Sequence, residues 1–96
     1  ADAAAGGRLY ARYCAGCHAA RGEGVQAPAL NNQSLLSSAS DAYLIETIGR
    51  GRRGTLMQSF RSASPVHPAL ADDEIESLVA FLRTWEVAQT RPEKQP

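Results

Sequence analysis

The 96-residue chain is poor in strand formers, in lysine and in long apolar runs. Its few β-branched residues never alternate convincingly with polar ones, which argues against a sheet. No run approaches the roughly 20 apolar residues that cross a bilayer, so a membrane-spanning helix is not expected. The start lacks a basic segment followed by an apolar stretch, so no signal peptide is visible. An excess of charge of either sign is also missing: ten basic residues, nine of them Arg, balance ten acidic ones. Global attraction to nucleic acid or to an anionic membrane is therefore not expected. Internal repeats are absent, and so is any low-complexity block beyond the Ala-rich start.

What remains fits one small globular domain, with 44% hydrophobic and 21% charged residues. At this length the surface-to-volume ratio is poor, and a disulfide, metal, cofactor or partner would help the chain stay folded. The domain is expected over residues 1–90, with residues 91–96 as a polar, Pro-flanked tail or linker. The Ala-rich start fits either a mature end left by signal cleavage or the edge of an excised domain.

Apolar periodicity predicts three main helices. The first covers residues 3–14, with Leu9, Tyr10 and Tyr13 on its apolar face. Gly6 and Gly7 weaken it by about 1 kcal/mol each relative to Ala, which is the mark either of close backbone packing or of a frayed end. The second covers 39–49, capped by Ser38 or Ser40, lined by Leu44, Ile45 and Ile48, and ended by Gly49. The third covers 72–88, where Ile75, Leu78, Val79, Leu82 and Trp85 recur at helical spacing beside Phe81. Asp72, Asp73, Glu74 and Glu76 crowd its start, where negative charge suits the helix dipole. Residues 20–37 and 49–71 read as loops. Connections this long are unusual in a small helical domain and make sense if they wrap something that is not protein.

The two cysteines stand in Cys14-Ala15-Gly16-Cys17-His18. A zinc site wants four ligands, and only Cys14, Cys17, His18 and His67 are at hand, with His18 placed awkwardly against Cys17. A redox dithiol needs a preceding strand and a sheet, and neither is present. A Cys14–Cys17 disulfide would close a tiny loop and add little. Covalent haem fits: cysteines at i and i+3 add to the two vinyl groups of one porphyrin, and the next residue, His18, is then held close to the iron. C-x-x-C-H is a signature of haem attachment. The sixth ligand must come from elsewhere in the chain. Met57, the only methionine, stands in a glycine-rich loop, and a thioether there raises the reduction potential relative to a second imidazole. A lone Met also fills core gaps, and His67 is a rival ligand. The setting of His67 between Pro65 and Pro68 reads as a stiff surface turn.

Gly6, Tyr10, Cys14, Cys17 and His18 together match the G-x3-[FY]-x3-C-x2-C-H opening of the small monohaem class I c-type cytochromes, and the chain resembles them over nearly its full length. Gly22, Gly24, Pro28 and Leu30 resemble the family's G-x-G…P-x-L loop. Gly49, Met57, Phe60 and a last helix with Leu82 and Trp85 complete the likeness. The resemblance implies an all-α class I cytochrome c fold, with three main helices and long loops around one low-spin haem c joined to Cys14 and Cys17. It implies His18 and Met57 as iron ligands, the Pro28 carbonyl as acceptor for the second nitrogen of His18, Leu30 packed on the haem, and Phe81 or Trp85 packed where the first and last helices cross at Gly6. Two positions depart from the pattern. Gln58 follows Met57 where relatives carry Pro, and Ala71 precedes the last helix where relatives carry Ser, leaving Asp72 as the expected cap.

With both axial positions filled, the expected function is outer-sphere electron transfer, not catalysis, with protein redox donors and acceptors as partners. The main setting is a soluble shuttle. Another is a haem domain of a larger redox enzyme or membrane complex. A third is a haem sensor or peroxidase with a labile Met57. Arg50, Arg52 and Arg53, with Arg61 beyond the loop, are the densest basic group. One of them, with Arg52 as the candidate, is expected to pair with a haem propionate, and the others to steer an acidic partner or stay solvated. Haem attachment by family habit is completed outside the cytoplasm, so a periplasm or another exported compartment is expected.

Overall fold

A computed structural model describes residues 2–24, 29–52, 57, 59–65 and 67–87. The chain is all-α: α1 (Ala3–Tyr13), α2 (Ala15–His18), α3 (Gln33–Ser38), α4 (Asp41–Arg50) and α5 (Asp72–Arg83). No strand occurs among the described residues, only an isolated bridge between Ser64 and His67.

Each helix start follows from local chemistry. The Asp2 carboxylate accepts from the N–H groups of Ala4 and Ala5 at 2.9 and 3.2 Å. Asn32 does the same for Ser34 and Leu35, and Ser40 accepts from Tyr43 at 3.0 Å. These side chains satisfy donors that a helix start leaves without an intrahelical partner. At α5 the cap is Ala71 and not Asp72. The Glu74 carboxylate reaches back to the Ala71 N–H at 2.8 Å, which is half of a capping box. Asp72 is turned instead to the Arg61 guanidinium.

The frame is the crossing of α1 on α5. A Cβ built at Gly6 would lie 1.8 Å from the Ser77 carbonyl oxygen and 2.4 Å from its carbon, so the two backbones touch there. The Ser77 hydroxyl also accepts from the Asp2 N–H at 3.1 Å. Gly6 is thus a packing residue, not the mark of a frayed end. Next to the crossing, the Tyr10 ring lies 5.4 Å from Phe81 and 5.3 Å from Trp85, edge-on to the latter. Tyr10, Phe60, Leu70, Ile75, Leu78 and Leu82 form the buried core.

Two helix ends differ from the sequence-based expectation. α4 runs through Gly49 to Arg50 and ends at Gly51, whose φ of 74° is the left-handed conformation that glycine adopts most readily. Gly49 stays inside the helix because the Arg61 guanidinium covers it, 2.6 Å from where a Cβ would stand. α5 stops at Arg83, short of residue 88. Beyond it, tertiary partners take the backbone groups: the Gln33 amide donates to the Trp85 carbonyl at 2.8 Å and accepts from the Val87 N–H at 2.9 Å. The segment read as loop over 20–37 contains α3, which begins at the Asn32 cap and buries Leu36.

Arg83 fastens the α3–α4 corner to α5. Its guanidinium donates to the carbonyls of Leu36 and Ala39 and pairs with Asp41 at 2.7 Å and with Glu86 at 3.2 Å.

Candidate functional site

Cys14, Cys17 and His18 share one helical turn. Cys14 ends α1, and its carbonyl accepts from the N–H groups of Cys17 at 3.2 Å and His18 at 3.0 Å. Residues at i, i+3 and i+4 of a helical turn lie on one face, so local geometry alone places Cys14, Cys17 and His18 on the same side of the turn. Cys14 and His18 are half-buried and Cys17 is exposed. The cysteines are not cross-linked to each other.

Burial, and then the neighbouring Cys17, push the Cys14 thiol up to about 12. Reactive dithiols need the opposite, a thiol lowered toward neutrality so that thiolate is present. Cys14 is therefore not the activated thiol of a redox dithiol. Among the described residues no group of three or more His, Cys, Asp or Glu converges as a metal-ion site, so the zinc reading has no geometric support either.

After His18 the chain doubles back. Ala19 has φ 69°, a left-handed conformation that L-residues rarely adopt. This turn brings the His18 carbonyl to the Gly24 N–H at 2.8 Å, and the Gly22 carbonyl to the N–H groups of Leu30 at 2.6 Å and Asn31 at 3.2 Å. The Tyr10 hydroxyl donates to the Ala19 carbonyl at 2.5 Å, pinning the turn to α1. Gly22, with φ 75°, lies under Trp85, whose ring comes within 2.6 Å of a built Cβ. The G-x-G loop is therefore packed against the residues that follow α5.

Met57 is half-buried and packs against the same core as Cys14, Leu30 and Phe60. Its carbonyl accepts from the Arg52 N–H at 3.0 Å. Just beyond it the chain is bonded to the end of α4: the Ser59 hydroxyl donates to the Gly49 carbonyl at 2.6 Å, the Phe60 N–H to Ile48 and the Arg61 N–H to Gly49, both at 3.2 Å. These bonds hold the segment without the proline that Gln58 replaces. Gln58 itself lies outside the described residues, as do Pro28 and Arg53.

The basic group is not uniform. Arg50 pairs with Glu46 at 3.1 Å, and Arg61 with Glu46 at 3.0 Å and Asp72 at 3.3 Å. The Glu46 hydrogen bond raises the Arg61 pKa. Both arginines thus serve the fold's own acids. The Arg52 side chain is exposed on the surface.

His67 is not the surface residue that its Pro-flanked turn implies. It is 6% exposed. Its ring stacks on Phe60 at a centroid distance of 4.2 Å and meets Tyr13 edge-on at 6.1 Å. Local rules read exposure from Pro65 and Pro68 and had no means to see these two distant rings.

The family model described as Cytochrome C oxidase, cbb3-type, subunit III matches residues 1–82. Two proteins named Cbb3-type cytochrome c oxidase subunit FixP are similar over 58 residues. The one from Bradyrhizobium sp. (strain ORS 278) is 41% identical and the one from Bradyrhizobium diazoefficiens 40%. In each case the match covers 57% of this chain and 20% of the relative, so the chain spans about a fifth of the length of these curated relatives. Among solved structures, the KustC0563 c-type cytochrome superposes with a TM-score of 0.72 and 24% identity, over 85% of this chain and 98% of that one. At that identity the likeness speaks for the fold alone.

Proposed function

The chain belongs to the family of cytochrome c oxidase, cbb3-type, subunit III, and on that premise we propose that it passes single electrons, as a domain of a larger redox assembly, between a protein donor and a protein acceptor. The chain carries haem c, the family's cofactor. Its only cysteines are Cys14 and Cys17, so the two thioethers form there. The observation that carries the proposal is the placement of donors: Cys14, Cys17 and His18 follow one another within one helical turn, and Cys14 and Met57 pack against the same core. When bound, haem supplies the Fe(II)/Fe(III) couple.

In this reading the residues position and insulate. His18 and Met57 would hold the iron, and a sulfur ligand would favour the ferrous state over a second imidazole. By the family resemblance, the Pro28 carbonyl would be the group that orients the His18 ring. Leu30 and Phe60 exclude water beside the haem, which disfavours the extra charge of the oxidised state. Arg52 would be the arginine that pairs with a propionate. No side chain acts as acid or base. The setting inside an assembly is favoured over a free shuttle by the family and by the FixP proteins, which are named as oxidase subunits. The domain then works on the outer side of the cytoplasmic membrane.

The test is the absorption spectrum of the matured protein, oxidised and reduced. Sharp low-spin reduced bands with the weak far-red band of sulfur-ligated ferric haem are expected, and both thioethers should be lost in Cys14→Ser/Cys17→Ser. Matured protein without covalent haem would overturn the function. Isolation of the native polypeptide at the length of this chain alone, reduced and oxidised by diffusing partners, would replace the assembly by the shuttle.

A further inference from the structure

His67 presents a nitrogen that the fold leaves unused. Its Nδ1 lies 2.8 Å from the Pro68 carbonyl oxygen. A carbonyl only accepts, so Nδ1 carries the proton and the neutral ring keeps its lone pair on Nε2. That Nε2 is buried and has no hydrogen-bond partner, the only such side-chain atom among the described residues. A buried polar atom without a partner calls for an explanation, since native structures rarely keep one.

Three features narrow the explanation. The tautomer, with one ring nitrogen donating to a backbone carbonyl and a bare lone pair on the other, is that of an imidazole prepared to bind a metal. The turn is held at both ends, by the Ser64 N–H on the His67 carbonyl at 2.9 Å and the His67 N–H on the Ser64 hydroxyl at 3.3 Å. The ring lies between the two segments that carry the haem-site residues. It stacks on Phe60, three residues beyond Met57, and touches Tyr13, which directly precedes Cys14.

We propose that His67 is a second iron ligand held in reserve: when Met57 leaves the iron, His67 Nε2 takes the sixth position. The exchange moves no electron, and the neutral ring gives up no proton, since Nδ1 keeps its bond to the Pro68 carbonyl. It replaces a sulfur donor by a nitrogen donor, which lowers the reduction potential. The proposal rests on the reading that Cys14, Cys17 and His18 hold the haem.

The experiment uses haem-loaded protein as wild type, Met57→Ala and Met57→Ala/His67→Phe. The far-red sulfur band is lost in both variants. Ferric Met57→Ala is expected to remain low-spin, with the electron paramagnetic resonance signature of two imidazoles, while the double variant turns high-spin. External imidazole should bind Met57→Ala about tenfold more weakly than the double variant, the factor expected if His67 occupies the iron about nine-tenths of the time. Helical circular dichroism and the pyridine haemochrome spectrum report folding and haem attachment in each sample. If the double variant does not fold, ¹⁵N-histidine labelling of Met57→Ala decides the matter by showing one or two nitrogen ligands at the iron. High-spin Met57→Ala, or equal imidazole affinity in the two variants, overturns the proposal and leaves the electron-transfer reading standing. Absence of covalent haem from wild type would overturn that reading itself.

Discussion

Replacing Gly6 by Ala tests the helix crossing that supports the whole site. The added Cβ would meet the Ser77 carbonyl oxygen at 1.8 Å, where ordinary contact begins near 3.4 Å. The obstacle is backbone inside α5, so no rotamer change relieves it, and the helices must part by about 1.5 Å. A radial gap of 0.5–1 Å already forfeits a quarter to a half of the dispersion energy across a contact. Tyr10, Leu78 and Leu82 would thus lose much of their mutual packing. Overpacking typically costs about 1–3 kcal/mol, and more where backbone meets backbone as here, while the gain in helix propensity returns about 1 kcal/mol. The expected net loss is about 2–4 kcal/mol, a fall in Tm of roughly 10–25 °C for a domain of this size. Gly7 provides the internal control. Its Cβ would meet the edge of the Phe81 ring at 3.1 Å, and a ring shifts by a few tenths of an ångström where a backbone does not. Gly7→Ala should therefore stay within about 1 kcal/mol of wild type, its clash offset by propensity. Thermal unfolding of both variants by circular dichroism is the assay. A Gly6→Ala protein as stable as Gly7→Ala would refute the crossing.

Arg83→Met keeps the stem and removes four polar contacts, leaving the Leu36 and Ala39 carbonyls without their donor. It should cost about 2–3 kcal/mol in urea unfolding. Ala19→Gly relieves a left-handed φ of 69° and should stabilise by about 0.5–1 kcal/mol, the relief being partly offset by the freer unfolded chain. Burial above all pushes the Tyr10 phenol up to about 12 from an ordinary 10. The native state thus holds that proton more tightly than the unfolded chain, so its contribution is full below pH 10 and is lost as pH rises toward 12. Tyr10→Phe should flatten that alkaline loss in a pH series of unfolding curves, at a cost of about 1 kcal/mol near neutrality for the hydrogen bond to Ala19.

The three main helices were legible because their signals are local. Ser40 caps α4, and the apolar spacing from Ile75 to Leu82 puts five residues of α5, Ser77 among them, in the buried interior. Their ends were less legible. Gly49 ends a helix by local rules, yet the Arg61 guanidinium covers it and α4 continues to Gly51. Trp85 continues the period of α5, yet Gln33, from 52 residues away, takes its carbonyl. The Asn32 cap of α3 was readable from an Asn before Leu35 and Leu36, but a six-residue helix sits below the length at which periodicity speaks.

The sequence by itself determined the haem-binding turn. The spacing of Cys14, Cys17 and His18 converts directly into one helical face, because positions i, i+3 and i+4 depend only on the backbone between them. The sequence left Gly6 and Gly7 open between close packing and a frayed end, and only the approach of the Ser77 backbone decided for Gly6. Tertiary structure alone decided the fate of His67 and of Arg61. The same Pro-flanked turn is surface or interior according to whether Phe60 and Tyr13 close over it. Arg61 is a solvated charge or a structural clasp according to where α4 and α5 bring Glu46 and Asp72. Burial and pairing are properties of residues far apart in the chain, and their contacts exist only once the helices have packed.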